Sequence, residues 1–322
     1  MKRHYTYFGG ILLAAVLMTG CGKGDNSALS YTPERFAALC ESIPEERLHA
    51  AAFADDLCVI TGEEPQSDPA VTAESAALFS LQDGRVLFQK NPFARMNPAS
   101  ITKIMTALIA IRSADLTESV TVGQETVITE SGASLCHIAP GETLTMEELL
   151  YGLMLPSGND AGAAIAVHMA GSMEAFSDRM NEEARALGAT GTHFVNSHGL
   201  TDEQHYTTAY DLYLIFQEAL KEPEFKKIIG TTEYTAEYLD AQGNPKTQIW
   251  KNSNQYLNGK TATPEGLHVV GGKTGTTMAA GSCLIMDSED AQNQDYISVV
   301  LKADSRASLY ENMTNIIQKI AN

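Results

Sequence analysis

Strand-forming segments sit near both ends of this sequence and helix-forming segments fill the middle, so a sheet has to be assembled from residues separated by most of the 322-residue chain. Toward the front, Ala76–Leu81 and Val86–Gln89 flank Gln82-Asp83-Gly84-Arg85, whose Asp-Gly pair signals a hairpin. Toward the back, Leu267–Val270, Ser282–Met286 and Tyr296–Leu301 have strand character, and a helix from Ser305 to Ile320 closes the chain. In between, Asn97-Pro98-Ala99-Ser100 opens a helix on which Ile101, Ile104, Met105, Leu108 and Ile111 recur at helical spacing. Further amphipathic helices are expected at Met146–Met154, Ala161–Met169, Met173–Leu187 and Ala209–Leu220. The pattern predicts an α+β fold: an antiparallel sheet flanked by helices, with a largely helical insertion over about 115–265.

The segment before this body reads as an address and a tether. Lys2 and Arg3 precede an apolar run, Phe8–Met18, too short to span a bilayer comfortably, so residues 1–20 are expected to be a cleaved signal peptide. Leu17-Met18-Thr19-Gly20-Cys21 resembles the bacterial lipobox, with Met18 where leucine is usual; the resemblance implies acylation of Cys21 and a lipid anchor. An ordinary secretory signal with an incidental cysteine is the alternative, and both place the protein outside the cytoplasm, on the outer membrane face or secreted. Residues 21–68 continue as tether and leader: Gly22 to Ser27 are flexible by composition, and Pro33–Leu39 and Glu45–Ala54 are helix-compatible. The body is assigned to 69–322.

At 44% hydrophobic the chain can bury a substantial core, and a net charge of −18 lacks the basic footprint of a nucleic-acid binder. Besides Cys21, Cys40, Cys58, Cys136 and Cys283 are scattered without metal-cage or disulfide-framework spacing; a Cys40–Cys58 bridge is left open.

Three short motifs carry chemistry. Ser100 and Lys103 stand three apart at a helix start, on one face and within mutual reach, a geometry that suits a serine nucleophile with a lysine base. For that lysine to accept a proton near neutrality its pKa must fall roughly 3 pH units from about 10.4, which costs about 4 kcal/mol. Burial and a second cation can supply this. Ser157-Gly158-Asn159 then opens the helix around Ala161–Met169, and Lys273-Thr274-Gly275-Thr276 follows a strand-like run. Each motif alone is common; the order S-x-x-K, S-x-N, K-T-G is specific to serine β-lactamases and penicillin-binding proteins.

The chain resembles the D-alanyl-D-alanine carboxypeptidases, the low-molecular-weight penicillin-binding proteins, from about Ser75 to Ile320. The likeness runs through Asn97 to Thr106, Ser157 to Ala161, Leu187-Gly188-Ala189-Thr190, Asn196-Ser197-His198-Gly199-Leu200 and Gly272 to Thr276. It implies a β-lactamase/transpeptidase-like fold and a serine-type peptidase that removes the terminal D-alanine from peptidoglycan stem peptides without a metal or other cofactor. By the same resemblance, Ser100 would attack the penultimate carbonyl, Lys103 would take its proton and Ser157 would relay protons to the leaving amine. Asn159 would bond the substrate amide and steady the lysine; Lys273 would depress the Lys103 pKa and, with Thr274, hold the terminal carboxylate. The strand through Lys273, Thr274, Gly275 and Thr276 would pair with the extended peptide, and the amides of Ser100 and Thr276 would form an oxyanion hole. β-Lactam antibiotics would be trapped on Ser100. Better-known members add a β-rich second domain and a C-terminal amphipathic helix; this sequence stops at Asn322, and Cys21 acylation is expected to take over the anchoring.

Competing readings are weaker. A phosphate-binding loop at Gly272-Lys273-Thr274 needs four residues between its glycines, and five separate Gly266 from Gly272. His193, His198 and His205 lack zinc-ligand spacing and are expected in turns and packing. A β-lactamase needs a deacylating glutamate after S-x-N, where Glu182 and Glu183 fall on a structural helix. A non-catalytic sensor lipoprotein has no need of a full acyl-transfer set. Endopeptidase action on cross-links uses the same site and stays open.

Overall fold

The computed structural model describes residues 57–60 and 68–320. The expected signal peptide, Cys21, the tether and the two helix-compatible leader segments lie outside these residues, as does Cys40. Among the described residues Cys58, Cys136 and Cys283 are buried free thiols.

The hairpin around Asp83-Gly84 forms as expected from β1 (Ser75–Ser80) and β2 (Arg85–Lys90), with Gly84 at φ +60° in the turn. Along its other edge β1 pairs with β9 (Asp295–Ala303), from Ser75↔Leu301 to Ser80↔Tyr296. With β8 (Gly281–Asp290) and β7 (Leu267–Thr277) they complete a five-stranded antiparallel sheet in the order β2-β1-β9-β8-β7, which leaves β7 at an edge. All six β1 residues are buried because helices cover both faces of the sheet, and its central Ala76–Phe79 is accordingly apolar without alternation. On one face lies α7 (Arg306–Ile317), whose Leu309, Met313 and Ile316 pack with Leu78, Leu284, Met286 and Val300. The other face sends Phe79, Ile285, Ile297 and Val299 into a larger core shared with α1 (Lys103–Ser113) and α5 (Ala209–Leu220).

The middle of the chain supplies the expected helices: α2 (Met146–Met154), α3 (Asn159–Ala170), α4 (Met173–Ala186) and α5, together with α6 (Pro223–Gly230). A capping box between Thr145 and Glu148 fixes the start of α2, satisfying two amides that would otherwise lack partners. Two features differ from the sequence expectation. The helix after Asn97 begins as a 3-10 turn, Ala99–Thr102, and becomes α-helical only at Lys103. The largely helical insertion also carries strands outside that expectation: β3 (Ser119–Thr121), β4 (Thr143–Thr145), β5 (Glu233–Leu239) and β6 (Pro245–Lys251) form a second, four-stranded sheet. Two of those strands are three residues long, too short for a periodic signal. β5 and β6 instead bury one face on α2, where the Tyr151 and Tyr234 rings stack at 3.7 Å and Trp250 continues the stack.

Candidate active site

The 3-10 turn holds Ser100, and Lys103 is the first residue of α1, so the two side chains converge with Lys103 Nζ 3.1 Å from Ser100 Oγ. Lys103 is fully buried, and its other partners are Asn159 Oδ1 and the His198 carbonyl, both at 2.6 Å. A neutral amine has two protons and one lone pair, and those two oxygens can only accept. In that neutral form they take both protons and leave the lone pair facing Ser100 Oγ, ready to accept its proton; in the charged form Nζ donates to Ser100 Oγ as well. Burial first, and the charge of Lys273 second, push the Lys103 pKa well below the ordinary lysine value. Ser100 Oγ is thus in contact with a buried amine whose pKa is lowered, an arrangement that suits a serine nucleophile with a lysine base.

The S-x-N segment arrives from the loop between α2 and α3. Ser157 has φ +67°, and Ala99, just before the nucleophile, has φ +48°. Left-handed backbone at residues with a Cβ costs about 1–2 kcal/mol each, and both instances flank the reacting groups, as stored strain commonly does. Asn159 opens α3, and its amide donates to Ser134 O at 2.8 Å. The neighbouring Asp160 carboxylate accepts from the amides of Cys136, His137 and Ile138 at 2.9, 2.8 and 3.2 Å. The Cys136 carbonyl in turn accepts from Trp250 Nε1 at 2.9 Å and Gln248 Nε2 at 2.7 Å. Gly158 is required here, since a Cβ would come within 2.9 Å of Cys136 Cβ.

The third motif lies within β7 itself. Lys273, also buried, donates from Nζ to Ser157 Oγ and to the Thr274 carbonyl, each at 2.9 Å. Burial lowers its pKa to about 7. A Cβ on Gly275 would sit 3.0 Å from both Ser100 N and Pro98 O, so glycine lets the strand lie against the nucleophile turn. Thr276 is exposed one residue further along, and the outer edge of β7 is unpaired in its sheet. Hydrogen bonds thus link Ser100, Lys103 and Asn159, and link Lys273 to Ser157, while Thr274, Gly275 and Thr276 follow Lys273 along β7, with Gly275 against Ser100.

Three contributors escaped the sequence reading. The His198 carbonyl is the second proton acceptor of Lys103, Asp160 ties down the S-x-N turn, and Ser253 Oγ lies 2.7 Å from Thr274 Oγ1. The signal for the first was Gly199, at φ +87°, where a Cβ would fall 1.8 Å from Ala99 O. Burial above all holds the His198 ring pKa down at about 3, so it is neutral. On α4, Glu183 is engaged by Arg112 at 3.3 Å, part of a surface ion cluster with Glu218 and Glu222.

The family model for D-alanyl-D-alanine carboxypeptidase matches residues 62–305. Curated relatives include the D-alanyl-D-alanine carboxypeptidases DacF of Bacillus subtilis, 34% identical over 78% of this chain, and DacA of Escherichia coli, 34% identical over 76%. The matches span 62% and 59% of those relatives' own lengths, under two thirds. Among solved structures, the DD-transpeptidase of Streptomyces K15 superposes with a TM-score of 0.73 at 29% identity, covering 80% of this chain and 100% of that one. The carboxypeptidase DacD from Francisella tularensis gives 0.68 at 25% identity, covering 81% and 73%. A match across most of the body, with the three motifs falling together as their order demands, means that this chain belongs to the D-alanyl-D-alanine carboxypeptidase family.

Proposed function

We propose that the protein is a serine-type DD-carboxypeptidase that removes the terminal D-alanine of peptidoglycan stem peptides through an acyl-enzyme on Ser100. The observation that carries this reading is the 3.1 Å contact between Ser100 Oγ and the buried Lys103 amine, whose pKa burial lowers, beside the edge strand bearing Lys273. The peptide adds to β7 as an extra strand, with its carboxylate toward Lys273, Thr274 and Ser253. Lys273 Nζ has three protons when charged and two acceptors in the protein, which leaves one for that carboxylate. Attack by Ser100 puts negative charge on the carbonyl oxygen, met by the Ser100 and Thr276 amides. Lys103 takes the hydroxyl proton, and Ser157, bonded to Lys273, passes a proton to the leaving amine. Water then releases the shortened peptide.

β-Lactams resemble the substrate in this scheme and acylate the same oxygen. The engagement of Glu183 by Arg112 speaks against a deacylating glutamate there, and so against β-lactamase action. The decisive experiment incubates the protein and Ser100→Ala with a stem pentapeptide and with penicillin, read by mass spectrometry. Loss of one alanine and a covalent penicillin adduct, both abolished by Ser100→Ala, are expected; binding without either identifies a sensor, and rapid penicillin turnover a β-lactamase. Cleavage of cross-linked dimers or transfer to an amine acceptor in the same assay assigns endopeptidase or transpeptidase action.

The anchor belongs to this proposal as well. Among the described residues no helix is long and apolar enough to cross a membrane, and Cys21 follows a lipobox-like sequence. An acylated Cys21 holds the protein on the outer face of the membrane; Cys21→Ala should release it into the medium.

A further inference from the structure

His205 takes part in no step above, yet it is 1% exposed and both ring nitrogens are engaged. Nδ1 accepts the Val195 amide proton at 3.2 Å, so that nitrogen carries no proton and Nε2 does. Nε2 lies 2.8 Å from Thr102 Oγ1, and the Thr102 hydroxyl spends its own proton on Ala99 O, also at 2.8 Å. The bonds therefore run in one direction: Val195 amide, His205 ring, Thr102 hydroxyl, Ala99 carbonyl. The last group shares a planar peptide with the Ser100 N–H. In a trans peptide the carbonyl and the amide proton point opposite ways, so fixing Ala99 O on the Thr102 side aims the Ser100 N–H away from it. Ala99 sits at φ +48°, where the backbone gains from being held, and Gly199 closes off the space beside its carbonyl.

We infer that His205, acting through Thr102, is a positioning residue that orients the Ser100 amide for oxyanion stabilisation. The inference rests on Ser100 being the acylated nucleophile. The groups facing the ring are consistent with a constant direction: burial, His193 and Lys103 favour the neutral imidazole, Asp202 opposes them, and the ring pKa settles at about 4. Near neutral pH the chain is therefore never reversed by protonation.

The test is penicillin acylation of the full protein, resolved into the binding constant and the first-order acylation rate, with folding checked by circular dichroism. His205→Leu and Thr102→Val should each slow acylation about tenfold to hundredfold, the scale of a roughly 1 Å misplacement, with binding nearly unchanged. His205→Gln, which accepts from Val195 and donates to Thr102 without titrating, should recover most of the rate. The Leu/Val double variant should be no slower than the slower single one, because both break one chain. Wild-type acylation rates in folded His205→Leu or Thr102→Val, or losses that multiply in the double variant, overturn the inference. If His205→Leu does not fold, the isosteric Thr102→Val decides alone. Failure of the wild type itself to acylate sinks the nucleophile assignment instead, and so is told apart.

Discussion

The site holds two fully buried lysines that the structure treats differently. Lys103, on a helix start, is surrounded by three neutral oxygen partners and feels the charge of its neighbour. Lys273, on an edge strand, has two partners, and burial alone sets its pKa at about 7. Desolvation brings the Lys273 ammonium into the neutral range, while Lys103 is lowered by burial and by the charge of Lys273 together. In the proposed mechanism that difference matches the roles: the amine in contact with Ser100 is the base, and Lys273 is the cation that meets the carboxylate.

The largest expected effect removes the amine in contact with Ser100. Lys103→Met should cut penicillin acylation by about 100- to 10,000-fold, the range for loss of a general base, with Ser100 still present. An acylation rate near wild type would show that the proton goes elsewhere and would erase the distinction between the two amines.

Lys273→Met comes next and sharpens the contrast. Losing a charge-assisted bond to the carboxylate should cost about 2 kcal/mol in kcat/KM for peptide, and the pH profile should move as well. The Lys273 charge depresses the Lys103 pKa, so its removal raises that pKa and shifts the acid limb of acylation to higher pH. An unmoved limb would mean that burial alone tunes Lys103. Stability offers an independent check. Lys273 titrates at the ordinary lysine value of 10.5 when the chain is unfolded and at about 7 when it is folded, so between these values the unfolded chain binds the extra proton. Stability is therefore lost as pH falls from about 10.5 through 7, and urea unfolding of the wild type should show this more steeply than that of Lys273→Met.

Much of this was legible in the sequence, for identifiable reasons. The Asp83-Gly84 turn, the apolar Ala76–Phe79 run of β1 and the periodic helices announce themselves locally, and the three motifs keep their order whatever loops separate them. What stayed hidden depends on contacts across the chain. Ser100 lies in a 3-10 turn because Ala99 is held at positive φ by groups near positions 199 and 205. The second sheet is joined through a single residue pair, Thr143↔Leu239, between a three-residue strand and a hairpin distant in sequence. The His198 carbonyl is a backbone atom, and its only mark in the sequence is the neighbouring Gly199, which does not name Lys103 as its partner. The histidines expected in turns and packing divide accordingly: His205 is buried with both nitrogens bonded, while His193 bonds only through Nδ1, to Gln204 O at 2.6 Å.

The smallest effect probes the segment that touches both lysines. Ser157 contacts Lys273 and Asn159 contacts Lys103, and the turn joining them is tied through Asp160 to the Cys136 loop, whose carbonyl Trp250 and Gln248 hold. Trp250→Phe keeps an aromatic ring between Tyr234 and Tyr238 and removes one of two donors to that carbonyl. One neutral hydrogen bond is worth about 0.5–1.5 kcal/mol, and Gln248 Nε2 remains, so acylation should slow only by a few fold. Because the turn serves both amines, the loss should appear in the rate at every pH without displacing the acid limb. A displaced limb in Trp250→Phe would show that the second sheet tunes one lysine selectively, and the difference between the two amines would then be set partly from outside their own pocket.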